Sequence, residues 1–152
     1  TNEWKKTIDV NLNAMFYMTK HFLKLMLKAK NPVILNTSST YGKVSPNKSI
    51  YGNSGINAPI GYTATKAGII GFTKYIATHY GDRGLRANVL IPGGVENKNQ
   101  SKSFKKKYSQ LTPLRRMAKQ NEYKRAVLFL VSDESSYMTG SEFIIDGGWT
   151  AW

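Results

Sequence analysis

The sequence predicts an α/β fold in which a parallel sheet is covered by helices on both faces. Three short apolar runs, at residues 33–36, 87–91 and 142–145, are separated by longer segments with apolar residues at helical spacing. Strands joined through helices run parallel, and a parallel sheet needs cover on both sides. There is no internal repeat, low-complexity tract or linker, so the 152 residues read as one unit rather than two.

The elements follow in order. Residues 2–30 carry Ile8, Leu12, Met15, Phe16, Phe22, Leu23 and Met26 as one helical stripe. Asn31-Pro32 ends it, because proline cannot continue a helix. Residues 33–36 form a short apolar strand. Residues 42–61 are rich in Gly, Asn, Ser and Pro and read as a loop. A helix spans 62–80 and stops at the glycines Gly81 and Gly84. Residues 87–91 form a buried strand, closed by Pro92-Gly93-Gly94. The basic, polar segment 97–112 has Phe104, Tyr108 and Leu111 at helical spacing, which predicts a short amphipathic helix. Residues 122–131 form a helix with an apolar face, and 142–145 a last strand turned by Asp146-Gly147-Gly148.

Composition excludes several function classes. There is no cysteine, hence no disulfide, cysteine nucleophile or thiolate metal site. His21 and His79 lie far apart on helical segments and read as surface or packing residues, so no metal is expected. No apolar run approaches the roughly eighteen residues of a membrane span, and no cationic segment leads into an apolar one at the N-terminus. A cytoplasmic location is the expectation. The net charge of +13, from 22 Lys and Arg against 9 Asp and Glu, invites a nucleic-acid reading. Lysine dominates over arginine, however, and no aromatic-interleaved RNA motif or recognition helix is present. Neither nucleic acid nor membrane is therefore an expected partner. The dense cluster Lys98, Lys102 and Lys105-Lys106-Lys107 reads as a solvated face or as a contact for an anionic small-molecule substrate.

The residues with most chemistry are Tyr62 and Lys66, four apart in the helix at 62–80, and Ser38-Ser39 at the end of the apolar run before it. Residues i and i+4 share a helix face. An ammonium beside a phenol favours the phenolate and lowers the phenol's pKa. That makes tyrosine a usable acid/base near neutral pH. A serine hydroxyl at a strand end can hold a carbonyl or alcohol oxygen beside it. Alone, the Tyr-x-x-x-Lys pair is a weak signal, since both residues are common on helix surfaces, and a solvated helix face is the better reading of it.

Further segments appear in a fixed order: Val10-Asn11-Leu12, Val33 to Ser39, Tyr62 to Gly68, Gly84 to Val89, Pro92-Gly93-Gly94-Val95, Phe129 to Asp133, Thr139-Gly140 and Asp146-Gly147-Gly148. In that order, from end to end, the chain resembles the short-chain dehydrogenase/reductase family. The resemblance implies a Rossmann-like, doubly wound parallel sheet with its dinucleotide site at the carboxyl ends of the strands. It implies an NAD(P)-dependent oxidoreductase, NAD or NADP being the cofactor, that moves a hydride between nicotinamide and an alcohol or ketone. By resemblance, Tyr62 is the acid/base and Lys66 lowers its pKa and binds the nicotinamide ribose. Ser39, rather than Ser38, holds the substrate oxygen. Asn11 supports a water in the proton relay. Pro92, Gly93, Gly94 and Val95 face the nicotinamide amide, and Asn97 stands where the family often has a cofactor-binding threonine.

The family's glycine-rich phosphate turn and its Asn-Asn-Ala-Gly segment are not among these residues. Residues 1–152 are thus expected to be the C-terminal part of a single domain, three strands with flanking helices, without the dinucleotide-binding half and inactive alone. The stretch from Ser39 to Tyr62 is longer than the family usually shows, with the extra residues in or just before 51–59, on the substrate side. That loop and the Pro-Gly-Gly-Val turn are similar to the branch that includes flagellin-modification oxidoreductases of nonulosonic-acid sugar pathways. A sugar or sugar nucleotide is the leading substrate class. An acyl-carrier-protein ketoreductase and a non-catalytic module are the alternatives. The resemblance also implies a homo-dimer or homo-tetramer through the helices at 2–30 and 62–80, where Gly68 and Gly71 permit close helix approach. It implies that 97–112 is a flap, mobile until cofactor and substrate bind.

Overall fold

The computed structural model describes residues 1–52 and 57–152. The first helical stretch is α1 (Asn2–Ile8), a π-helical segment (Asp9–Asn13) and α2 (Ala14–Met26). Thr1 caps it, its hydroxyl accepting the Trp4 N–H at 3.4 Å. The π segment fits one extra residue into the turn, and Asn11 sits in it. The helix ends at Met26, short of the Lys30 that the sequence suggested. The Lys28 and Ala29 N–H groups turn back to the carbonyls of Leu25 and Met26, which tightens the chain out of the α-helix. Asn31, at φ 54°, then takes the left-handed conformation that asparagine tolerates.

β1 (Val33–Thr37) follows, then a single 3₁₀ turn at Thr40–Gly42 and a second, Lys48–Tyr51, inside the region read as loop. Of the longer loop at 51–59, residues 53–56 lie outside the described residues. α3 (Ile60–Tyr80) begins two residues before Tyr62. β2 (Arg86–Pro92), α4 (Lys102–Leu111), α5 (Lys124–Val131) and β3 (Glu142–Ile145) complete the chain.

The sheet is parallel in the order β1-β2-β3, with Thr37 opposite Leu90 and Pro92 opposite Ile145. All three carboxyl ends therefore lie on one side. Side chains alternate along a strand, so Ala87, Val89 and Ile91, each fully buried, share one face of β2. There they meet Ile69, Ile70, Ile76 and Ala77 of α3, with Leu12 and Met15 closing the layer. Each buried Ile or Val stabilises by about 2 kcal/mol. α5 packs against β1 with Leu130 fully buried. Asn88, also buried, accepts the Ser141 N–H and donates to the Met138 carbonyl, tying the lead-in of β3 to β2. The expected α/β architecture is therefore observed, down to three strands.

Gly68 does permit a close approach, but within the chain: a β-carbon there would lie 3.3 Å from the Leu12 side chain. Gly71 faces open space. The short amphipathic helix expected in 97–112 is α4, whose Tyr108 joins Ile50, Met117 and Trp149 in a buried cluster flanked by Phe104 and Leu111.

Candidate active site

A cleft of about 430 Å³ opens beside the carboxyl ends of β1 and β2. Ser38 and Ser39 leave β1 into it, Tyr62 projects from the first turn of α3, and Pro92 to Val95 follow β2 along its floor. Three segments distant in sequence thus converge on one space, where parallel α/β sheets bind ligands.

Lys66 lies behind Tyr62. Its ammonium stands 5.5 Å from the Tyr62 ring centroid and donates to the Thr37 carbonyl at 3.0 Å. Partial burial pushes the Lys66 pKa down. Thr65, fully buried beside it, donates to the Tyr62 carbonyl at 2.9 Å and accepts from Asn11 Nδ2 at 3.1 Å. Asn11 therefore reaches the tyrosine's own helical turn through one threonine. Neither Lys66 nor Asn11 lines the cleft itself.

The two serines differ. The Ser38 hydroxyl donates to the Lys66 carbonyl at 2.7 Å, so its proton is committed. Gly42 is packed onto that bond: a β-carbon there would lie 2.7 Å from Ser38 Oγ and 2.8 Å from the Lys66 carbonyl group. Among the described residues Ser39 Oγ only accepts, from the Tyr41 N–H at 3.2 Å, and its own proton has no acceptor there.

The turn after β2 is held on every side. The Gly93 N–H donates to Ile145 and the Gly93 carbonyl accepts from the Tyr123 hydroxyl at 3.2 Å. The Gly94 N–H donates to the Tyr108 hydroxyl at 2.6 Å, and the Gly94 carbonyl accepts the Ala118 N–H. Gln100 donates to the Val95 carbonyl at 3.1 Å. Asn97 lies apart, in a neighbouring hollow with Lys98 and Lys119, where its side chain accepts the Asn99 N–H.

The motif-based reading missed the cleft's outer wall. Tyr41, Tyr51 and Phe104 face it, and the Tyr41 and Tyr51 hydroxyls are 3.3 Å apart. Burial, with the Tyr51 hydrogen bond second, pushes the Tyr41 pKa far up. Burial also pushes Tyr108 up to about 12. Both therefore keep their protons at neutral pH and serve as neutral hydroxyls. Tyr41 follows Ser39 by two residues and Tyr51 opens the long loop. Those positions were the available signals. Among the described residues no cluster of His, Asp and Glu is suited to hold a metal ion, and no helix is long and apolar enough to cross a membrane.

Known proteins match this chain along nearly its whole length. Residues 1–150 match the family described as enoyl-(acyl carrier protein) reductase. A cyclohexanol dehydrogenase of Acinetobacter sp. is 34% identical over 97% of this chain and 55% of its own length. A 3-oxoacyl-(acyl-carrier-protein) reductase of Thermotoga maritima is 39% identical over 96% of this chain and 56% of its own. The crystal structure of a short-chain dehydrogenase from Leptospira borgpetersenii with bound NAD+ superposes with a TM-score of 0.92 at 40% identity, over 99% of this chain and 57% of that one. The chain thus spans a little over half the length of the relatives it matches. With the serine, the Tyr-x-x-x-Lys helix and the strand-end turn gathered at one cleft, this chain belongs to the short-chain dehydrogenase/reductase family.

Proposed function

We propose that this chain is the substrate-side, C-terminal part of an NAD(P)-dependent oxidoreductase acting on an alcohol or ketone. The carrying observation is the convergence of Tyr62, backed by the Lys66 ammonium, with the free Ser39 proton and the Pro92–Val95 turn on one cleft. The residues fit a nicotinamide. The turn offers backbone along the cleft floor, and the Val95 N–H has no hydrogen bond among the described residues. Lys66 stands at the strand end beside it. NAD or NADP, when bound, supplies the hydride chemistry.

The chain's own residues do the rest. Ser39 donates its hydroxyl proton to the substrate oxygen and fixes it next to Tyr62. In reduction, the Tyr62 hydroxyl gives its proton to the developing alkoxide. In oxidation, the phenolate takes it back. Lys66 places positive charge 5.5 Å from the Tyr62 ring centroid and stays oriented by the Thr37 carbonyl. Asn11, through Thr65, fixes the first turn of α3 and hence the tyrosine. The adenosine half of the cofactor would be held by a dinucleotide-binding half outside these 152 residues. The lengths of the relatives support that reading, as does the lack of a glycine-rich phosphate turn here.

For substrate, the aromatic wall of Tyr41, Tyr51 and Phe104 favours a polyhydroxylated ring such as a sugar. Aromatic faces pack on its apolar side, and the paired hydroxyls meet its oxygens. A ketoreductase acting on an acyl carrier is the second reading, favoured by the Thermotoga maritima relative. Cofactor oxidation by the full-length enzyme, with sugar ketones in one arm and acyl-carrier thioesters in the other, separates the two. Turnover of neither, in wild type, overturns the substrate assignment.

A further inference from the structure

We propose that Tyr108 is a positioning residue that locks α4 onto the turn facing the nicotinamide, with Gly94 as its receptor. This rests on the oxidoreductase reading above. The Tyr108 ring is 5% exposed and stacks on Trp149 with centroids 4.2 Å apart and planes 20° from parallel. Its hydroxyl accepts the Gly94 N–H at 2.6 Å. A β-carbon on residue 94 would lie 2.6 Å from Tyr108 Cζ and 2.8 Å from its hydroxyl oxygen. Gly94 does not have a left-handed φ, so backbone conformation does not demand glycine there. The approach of the ring does.

Two functions meet in this one bond. Tyr108 is the buried residue of α4, so it holds the helix that walls the substrate side. The Gly94 amide leads directly into Val95, whose N–H is left for a ligand. A hydroxyl that orients the Gly94 amide therefore also sets the angle at which the turn meets the cofactor. If α4 lifts, the Gly94 N–H loses its acceptor and the turn loses that constraint. Seating of α4 and alignment of the turn become one event, with no new residue entering the reaction.

The test is a set of variants in the full-length enzyme, read by NADH binding and by amide hydrogen exchange over residues 102–111. Tyr108→Phe keeps the stacked ring and removes only the acceptor. It should weaken NADH binding and raise exchange in α4, each by about tenfold, in line with loss of one buried hydrogen bond. Gly94→Ala should do the same by collision. In a Tyr108→Ala background, Gly94→Ala should add less than about twofold, because coupled groups are non-additive. Faster α4 exchange with unchanged NADH affinity in Tyr108→Phe reduces the contact to packing and overturns the coupling. An equally damaging Gly94→Ala in the Tyr108→Ala background overturns the receptor role. Failure of the wild-type enzyme to bind either NADH or NADPH sinks the oxidoreductase reading and the coupling with it, while the exchange measurements still decide whether Tyr108 latches α4.

Discussion

α3 buries seven residues between Gly61 and Ala77, whereas α2, with an apolar stripe of its own, buries none. α3 lies against β2, the central strand, and its threonines Thr65 and Thr73 are fully enclosed. α2 leaves Phe16, Tyr17, Met18, Phe22 and Leu25 between 47% and 67% exposed. Beneath it runs an apolar groove from Met15 and Met18 to Ile34, beside the edge of β1 that has no strand partner among the described residues. The site stands on the finished side. Tyr62, Lys66 and Thr65 ride on the helix that packs on the sheet through seven buried residues. The unfinished side carries the surface that further structure, a second copy or the dinucleotide-binding half, would cover. An apolar stripe in sequence reports that a face will be buried, not by what.

The largest effect should come from the site on α3. Tyr62→Phe in the full-length enzyme should lower kcat by roughly 10²–10⁴-fold, the usual contribution of general acid/base help. Cofactor affinity should stay largely intact, because the ring remains. Near-normal turnover would break the assignment of α3 as the catalytic helix.

The second effect concerns what α3 rests on. Ile69 is 3% exposed against Val89 and Ile91. Ile69→Ala should cost about 2–5 kcal/mol through lost transfer energy and the cavity left behind. The denaturant midpoint should fall with little change in slope. A loss under about 1 kcal/mol would mean that α3 is not the packed partner of β2.

Much of this was legible in the sequence, for reasons that separate the two regions. The strands and α3 follow from short apolar runs and helical spacing, whereas Ser39, Tyr62, Lys66 and Pro92–Val95 were singled out as site positions by the resemblance of their motifs to the family. What separates the two serines in the structure, the hydrogen bond from Ser38 to the Lys66 carbonyl, is a contact that no sequence pattern shows. The outer wall was not legible. Tyr41, Tyr51 and Phe104 meet only after the chain folds back, so no periodicity links them. Nor was the second glycine of Pro-Gly-Gly, whose cause is a tyrosine fourteen residues away. The early end of α2 depended on competing hydrogen bonds at Leu25 and Met26.

The third prediction tests the polar shell on the finished side. Glu122 accepts both terminal nitrogens of Arg116, at 2.6 and 2.7 Å, and the Lys119 N–H at 2.7 Å. The Arg116 hydrogen bonds first, then the Lys119 N–H, hold its carboxyl at about 2. The unfolded value is about 4.3. A folded pKa below the unfolded one adds stability above about pH 4.3, and that stability is lost as pH falls towards 2. Glu122→Gln should therefore flatten the stability profile between those limits, its cost present at pH 7 and vanishing towards pH 2, and small throughout since the pair is exposed. An unaltered acid slope would show that the pair does not form in solution.

The smallest effect on the folded subunit should come from α2. Leu25 is 67% exposed, so Leu25→Ala should alter subunit stability by under about 0.5 kcal/mol. Its effect on association should be larger if a second copy covers this face, since apolar area removed from water is worth about 25 cal/mol per Å². Light scattering of the full-length enzyme at micromolar concentration should give a dimer or tetramer for wild type. For Leu25→Ala combined with Tyr17→Ala it should give a shift towards smaller species, with the unfolding midpoint of the dissociated subunit nearly unchanged. A wild-type monomer would remove the second copy as the cover. An intact oligomer in the double variant would move the interface off α2. A large loss of subunit stability would mean that the dinucleotide-binding half of the same polypeptide lies on α2. That result would erase the contrast with α3, since both helices would then be buried within one subunit.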